Sequence, residues 1–408
     1  MITIRSARLV FITILMAIST CQPASAAPAG DIAALVASNT ACAMDLYASL
    51  KTTDGNLFFS PYSISTCLAM TYAGARGNTA AQMAQTLHFN SNQERLAVSF
   101  GELQTQLNDE PNKNGIELSI ANGLWKQKDN PFLPAFLDMA KQSFGANIEQ
   151  ADFRTRAESA RISINDWVSN QTKGKITDLI QPGLLNQATR LVLVNAIYFK
   201  GRWAAQFDNH KTIKAPFSVG LTQKPEARLM NLTADFRYAE VEGLQLLELP
   251  YAGDHLSMDI LLPHESGGLK GMEDQLNENN IDRWLAQTRE RKVAVFLPKF
   301  KLAAQINLAK RLAEMGITDA FSPLANFSGM DGARDLFISA VVHKAFIDVD
   351  EEGIEAAAAT GVAIRSMAVM MPQPIPIFRA DHPFIFLIRD NHSGSILFLG
   401  RLADPTQS

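Results

Sequence analysis

The chain has 408 residues, 47% hydrophobic and 19% charged, a balance that excludes global disorder and allows a large core. Its net charge of -4 and the lack of any basic run of five residues give neither nucleic acid nor an anionic membrane a reason to bind. The densest basic stretches, Arg289–Lys292 and Lys299–Lys301, read as solvated faces. At the N-terminus Arg5 and Arg8 precede an apolar run from Leu9 to Ile18, and Ala24–Ala26 offers a small-residue cleavage site. Residues 1–26 therefore read as a secretory signal peptide. The run is too short for a membrane span. Secretion, extracellular or periplasmic, is the expectation, with lipid attachment at Cys21 an alternative that Thr20 suits poorly. Cys42 and Cys67 then remain, both in apolar helical patterns that suit buried free thiols, although an oxidising compartment would permit a disulfide.

Asp31 opens an amphipathic helix with apolar positions at Ile32, Leu35, Val36, Cys42, Leu46 and Leu50. Ser60 as N-cap and Pro61 at the first helical position predict a second helix, ended by Gly74 and Gly77. Thr79 and Gln82 have the spacing of a capping box for a third. The region to about Ile180 reads as mainly helical, with "ANGLWKQ" as a strand-like break. Strands dominate afterwards. Leu191–Phe199 is a continuous apolar run, the mark of a strand covered on both faces. "SMDILLP", "KVAVFLPKFKL" and "LFISAVVHKAFIDV" follow, and "PFIFLIRDNHSGSILFLGRL" reads as a hairpin turning at Asp390–Gly394. No repeat or low-complexity linker divides the chain, so a single α+β domain over 27–408 is expected instead of the two or three that length alone suggests.

Motifs of catalysis are missing: there is no G-x-S-x-G, H-E-x-x-H, S-x-x-K, P-loop or G-x-G-x-x-G. The seven histidines are scattered singly without metal-ligand spacing, so neither a metal nor a cofactor is expected. A secreted hydrolase would need a convergent triad that the sequence does not display. The segment from Glu351 to Phe378 stands out instead. By propensity Glu355–Thr360 is a helix that Gly361 stops almost at once, yet it lies between two β-rich regions.

Four stretches, in order, resemble the serpin family over nearly the whole chain. They are "NLFFSPYSISTCLAMTYAGARGNTAAQM", "LVLVNAIYFKGRW", "LMNLTADFRYAE" with "LELPYAGDHLSMDILLP", and "HKAFIDVDEEGIEAAAAT" with "FRADHPFIFLIRDNHSGSILFLGRL". The resemblance implies an α+β serpin fold with three β-sheets, eight or nine helices and an exposed reactive-centre loop at about 351–377. It also implies a suicide-substrate inhibitor of serine proteases, not an enzyme. The cleaved loop would insert into the main sheet as an extra strand and trap the acyl-enzyme. Small side chains answer the helix puzzle, because a strand sliding between two others must avoid clashes.

Carried over position by position, the hinge is Glu351, Gly353, Ile354, Glu355, Ala356, Ala357, Ala358, Ala359 and Thr360, with Ile354 standing where inhibitory members usually carry Thr or Ser. Ser60, Asn195 and His343 match the shutter, a polar cluster beneath the sheet, which Asn122 joins; the alternative is separately satisfied buried polar groups. Glu351, Lys299 and Trp203 match the breach where the loop first enters, with ordinary core packing the alternative for Trp203. Counting 14 positions from Gly353 gives Met367–Ala368 as the attacked bond. Arg365–Ser366 is the alternative, and Met370 or Met371 remain open because the segment after the bond is longer than usual. Met367 implies a chymotrypsin-, elastase- or subtilisin-like serine protease as partner, Arg365 a trypsin-like one, with the inhibitor a monomer. The competing reading is a non-inhibitory serpin used for carriage, storage or chaperoning, which bulky or charged residues across Ala356–Thr360 would favour.

Overall fold

The computed structural model describes residues 29–109, 115–128, 131–220, 223–351 and 374–407. Helix α1 (Ala29–Leu50) leads through β1 (Leu57–Phe59) into α2 (Pro61–Gly74), α3 (Gly77–Thr86) and α4 (Gln93–Asp109). Strand β2 (Ile116–Gln127), α5 (Pro134–Phe144), β3 (Asn147–Ala151), α6 (Phe153–Gln171) and β4 (Leu191–Gly201) follow. The chain then runs through β5 (Ile213–Pro216), β6 (Glu226–Val241), β7 (Leu244–Pro250) and β8 (Leu256–Pro263). After α7 (Leu269–Gln275) and α8 (Glu278–Gln287) come β9 (Arg289–Pro298), β10 (Phe300–Asn307), α9 (Ala309–Met315), α10 (Ser328–Asp331) and β11 (Ile338–Val349). Strands β12 (Ile377–Arg379), β13 (Phe384–Asp390) and β14 (Ile396–Leu402) close it.

The strands form two hydrogen-bonded sheets. One has five strands in the order β10-β11-β4-β2-β3; the other has nine, β1-β14-β13-β8-β7-β6-β9-β12 with β5 also on β6. The long strand β6 is shared by two parts of the larger sheet: Leu229–Tyr238 pair with β9 while Arg237–Val241 pair with β7. The three expected sheets are therefore the five-stranded one and two that meet on β6. Ten helices are described against the eight or nine expected, and the surplus is short, α10 spanning four residues.

Hydrophobic cores lie on both faces of the five-stranded sheet. Leu191, Leu193, Ile197 and Phe199 of β4 enter the main core, while Val192, Val194, Ala196 and Tyr198 enter a second core with Ile164 and Val168 of α6. That two-sided burial is why β4 reads as an unbroken apolar run.

Three local expectations change. Strand begins at Ile116, ahead of "ANGLWKQ", and residues 172–190 form neither helix nor strand, so the region before Ile180 is less helical than expected. Thr79 and Gln82 do not cap α3, whose N-cap is Arg76. Their side chains instead accept from the backbone N–H groups of Asn326 (2.9 Å) and Asp319 (2.8 Å), so a distant segment outcompetes the local cap. "KVAVFLPKFKL" is two strands, broken at Lys299. Ser60 caps α2 as expected, accepting from the Ser63 N–H at 3.1 Å. Cys42 and Cys67 are buried and free, and burial pushes both thiols up to about 12.

Candidate functional site

Strands β4 and β11 are parallel neighbours in the middle of the five-stranded sheet, with His343 opposite Asn195. On the other side of β4, Asn122 of antiparallel β2 is also opposite Asn195. Three polar residues thus form one row across three strands, all pointing away from α6. The first turn of α2 meets this row. The Ser60 N–H donates to His343 Nε2 (3.1 Å), so the ring proton sits on Nδ1, which donates to Asn195 Oδ1 (2.5 Å). Asn195 Nδ2 donates to the Ser63 carbonyl (3.1 Å) and to Asn122 Oδ1 (2.5 Å). Ser60 Oγ donates to the Leu397 carbonyl of β14 (2.6 Å). Burial pushes the His343 imidazole down to about 3, keeping it neutral. A second proton would have to sit on Nε2, facing the Ser60 N–H.

Ser60, Asn122, Asn195 and His343 are therefore one connected network. Ser63 belongs to it as well and escaped the sequence reading, because its side chain is placed by the helix cap and its partner lies 132 positions away.

A second cluster lies where β11 ends. The Glu351 carboxylate, 7% exposed, pairs with Lys299 and accepts from Thr212 Oγ1 (2.6 Å). Burial pushes this carboxyl up, but the hydrogen bonds from Lys299 and Thr212 outweigh it and leave the pKa below the usual value. Trp203 Nε1 donates to the Asp350 carbonyl (3.0 Å), and its ring stacks on Tyr251 with centroids 4.5 Å apart. Trp203, Lys299 and Glu351 thus converge on the last residues of β11. Thr212 and Tyr251 were not foreseen; neither stands in a pattern that marks it.

Beyond Glu351 the chain passes out of the described residues. Gly353, Ile354, Glu355, Ala356, Ala357, Ala358, Ala359 and Thr360 lie there, as do Arg365, Ser366, Met367, Ala368, Met370 and Met371. The chain returns at Pro374, and β12 pairs in parallel with β9. Both ends of the intervening segment are therefore fixed.

Residues 172–190 form a strap over the β4–β11 joint on the α6 side. Ile176, Leu179, Ile180 and Leu185 share the second core with Val192 and Val194 of β4 and Ala340 and Val342 of β11. The strap continues covalently into β4. Toward the other half of the sheet it is tied by Gln305 Nε2 to the Leu179 carbonyl (2.9 Å), Lys344 Nζ to the Thr177 carbonyl (2.8 Å), and the Arg190 N–H to Ser339 Oγ (2.9 Å). Among the described residues no group of three or more His, Cys, Asp or Glu could hold a metal ion, and no helix is long and apolar enough to cross a membrane.

Comparison with known proteins places this geometry. The family model described as "Serpin (serine protease inhibitor)" matches residues 37–405. The leukocyte elastase inhibitor of Homo sapiens is 44% identical over 384 residues, covering 91% of this chain and 99% of its own; that of Bos taurus is 45% identical over 386 residues with the same coverage. Among solved structures, uncleaved ovalbumin matches with a TM-score of 0.84 at 33% identity, covering 91% of this chain and all (100%) of its own. Serpin48, a highly specific serpin in the insect Tenebrio molitor, matches at 0.79 and 34%, over 91% of this chain and 98% of its own.

These relatives also correct the reading of the N-terminus. The leukocyte elastase inhibitors, matched over 91% of this chain and 99% of their own, do not support secretion. The signal peptide at 1–26, the extracellular or periplasmic destination and lipid attachment at Cys21 are withdrawn; an apolar run behind two arginines is a pattern that does not by itself fix an address. With a family model spanning 37–405 and relatives above 40% identity along their whole length, the chain belongs to the serpin family of serine protease inhibitors.

Proposed function

We propose that this serpin traps its target as a suicide substrate, by inserting the cleaved loop between β4 and β11. The observation that carries the reading is the direct parallel pairing of these strands, with the loop leaving from the end of one of them. A chain that leaves β11 and folds back runs antiparallel to β11, and therefore antiparallel to β4. Insertion replaces one parallel ladder by two antiparallel ones, which are slightly more stable per residue. The uncleaved molecule is then a kinetically trapped state that holds one strand fewer than the sheet can take.

The chemistry follows from a competition. The target's serine attacks the bait bond and forms an acyl-enzyme. Insertion must then outrun deacylation. About 14 residues entering the sheet at about 3.3 Å each carry the tethered protease some 45 Å, and distortion of its active site stops hydrolysis. The inhibitor is consumed one for one and does not turn over. Glu351 and Trp203 fix the point of entry, and the row Asn122–Asn195–His343 holds the joint closed until then. The bait is Met367–Ala368, which suits an elastase-like target, in keeping with relatives named leukocyte elastase inhibitor. Arg365–Ser366 is the bond to exclude. The protein acts as a single domain and as a monomer.

Incubation with elastase followed by denaturing electrophoresis tests this. A covalent adduct that survives denaturation, with a released fragment starting at Ala368, is expected. Clean cleavage without adduct contradicts trapping, and a fragment starting at Ser366 moves the bait to Arg365.

A further inference from the structure

We propose that His255 and His392 form a two-imidazole site for a divalent transition-metal ion, held between the turn joining β7 to β8 and the turn joining β13 to β14. The histidines are scattered singly in the sequence, and these two lie far apart in it. The fold brings them together. Strands β8 and β13 are antiparallel neighbours with Leu256 opposite Asp390, so His255 just before one strand and the turn just after the other emerge side by side at the same end of the sheet. The two rings lie nearly parallel, at 24°, with centroids 5.3 Å apart. His392 is exposed and His255 half-buried, so an ion can reach both from solvent.

The separation is the one a shared ion requires. An imidazole nitrogen binds zinc at about 2.0–2.1 Å, which puts the ring centre about 3.2 Å from the ion. Two rings held at the tetrahedral angle then have centres about 5.2 Å apart. The backbone around the pair is already fixed. The Asn391 N–H donates to the His255 carbonyl (2.8 Å), and Asn391 Nδ2 donates to the Asp254 carbonyl (2.8 Å). Ser257 Oγ donates in return to Asn391 Oδ1 (2.7 Å), so the residue beside His392 is tied three times to the segment that carries His255. Each turn is also closed on itself, by the Tyr251 N–H to the Leu256 carbonyl (2.9 Å) and by the Ser393 N–H to Asp390 Oδ2 (2.7 Å). Seating an ion therefore asks for side-chain rotation alone, and little ordering has to be added.

The donor set names the class of ion. Imidazole nitrogens suit zinc, copper and nickel, whereas magnesium and calcium seek oxygen. Among the described residues no third His, Cys, Asp or Glu completes a group that could hold a metal. Water fills the remaining positions, and the ion exchanges with solvent, unlike the closed four-ligand sites that hold structural zinc.

The test titrates the full chain with zinc chloride in a calorimeter, in a buffer that does not bind metals. One ion per chain is expected, with copper(II) binding more tightly than zinc and no heat from magnesium or calcium. His255→Gln and His392→Gln should each weaken zinc binding at least tenfold, and the double variant should lose little more, because the two rings act as a unit. His264→Gln, at an exposed position elsewhere, should leave binding unchanged. A second measurement needs no substitution: zinc should shield His255 and His392 together from diethyl pyrocarbonate, read by mass spectrometry, while His264 stays reactive. Binding within twofold of the parent in both single variants, a loss confined to one of them, or shielding of neither ring would mean that the imidazoles only pack against each other, and would overturn the site.

Discussion

The β4–β11 joint of the five-stranded sheet and the β13–β14 joint of the nine-stranded sheet are built differently. In the first, β4 and β11 come from distant parts of the chain, run parallel, and face each other with Asn195 and His343 in the same row. In the second, β13 and β14 are an antiparallel hairpin whose row is aromatic: Phe58 stacks on Phe398 at 5.3 Å and on Phe386 at 5.9 Å. The larger sheet buries polar groups too, but Asp259 and Arg389 form an ion pair at 2.9 Å that links neighbouring antiparallel strands. A buried amide and imidazole satisfy each other only while their strands touch, so the first joint has a closed position and loses its partners on opening. Aromatic stacking in the second has no such latch. The proposed insertion therefore requires opening at the β4–β11 joint alone.

The largest expected effect is loss of function without loss of fold. Ala358→Glu asks the inserting strand to bury an unpaired carboxylate, costing several kcal/mol. The variant should be cleaved by elastase as a substrate and form no adduct. Undiminished trapping by this variant would show that the residues around Ala358 do not enter the sheet.

Asn195→Ala comes next, because it orphans His343 Nδ1 and Asn122 together. The first unfolding transition in denaturant should fall by about 2–3 kcal/mol. Phe398→Leu in the other sheet should instead lower stability while leaving the rate of insertion unchanged. If the two variants have the same effect on insertion, the two joints are not different in kind.

His343 sharpens the comparison with pH. Its folded pKa of about 3 lies below the ordinary 6.5, so the unfolded chain takes up the proton first as pH falls. The contribution to stability is whole above about pH 6.5 and is lost progressively down to about pH 3, at up to about 1.4 kcal/mol per pH unit. The parent should therefore lose stability faster than His343→Asn between pH 6 and pH 4, by about that slope. Parallel decline of the two proteins would remove His343 as the acid-sensitive group.

Much of this frame is legible in the sequence, for identifiable reasons. Leu191–Phe199 reads as a doubly covered strand because every side chain is apolar or small, and Ser60–Pro61 reads as a helix start because cap and proline are local signals. The network partners Ser60, Asn122, Asn195 and His343 were reachable only through the family resemblance, since a lone buried Asn or His has no pattern of its own. Ser63, Thr212 and Tyr251 were not reached. Their partners lie far away in sequence, and Thr212, which meets Glu351, directly follows a 3-10 turn at Asn209–Lys211. The first part of the strap, to about Ile180, falls in the region read as mainly helical, because tertiary ties to Gln305, Lys344 and Ser339 hold the strap and no periodicity reports them.

That strap carries the smallest expected effect. Separating β4 from β11 by one strand width, about 4.8 Å, must break its ties to the β11 side. Removing one hydrogen bond with Gln305→Ala lowers the obstacle by about 1 kcal/mol, about fivefold in the rate of insertion. Fewer protease molecules should then escape per adduct formed; an unchanged ratio would mean that the strap moves with β11.

Insertion between β4 and β11 is tested most directly by calorimetry before and after the loop is nicked between Gly361 and Met371 with a protease that is not trapped. Entry of the loop as a sixth strand predicts a melting temperature higher by about 10 °C or more. A nicked protein melting at or below the intact one would show that β4 and β11 stay paired, and would contradict the mechanism.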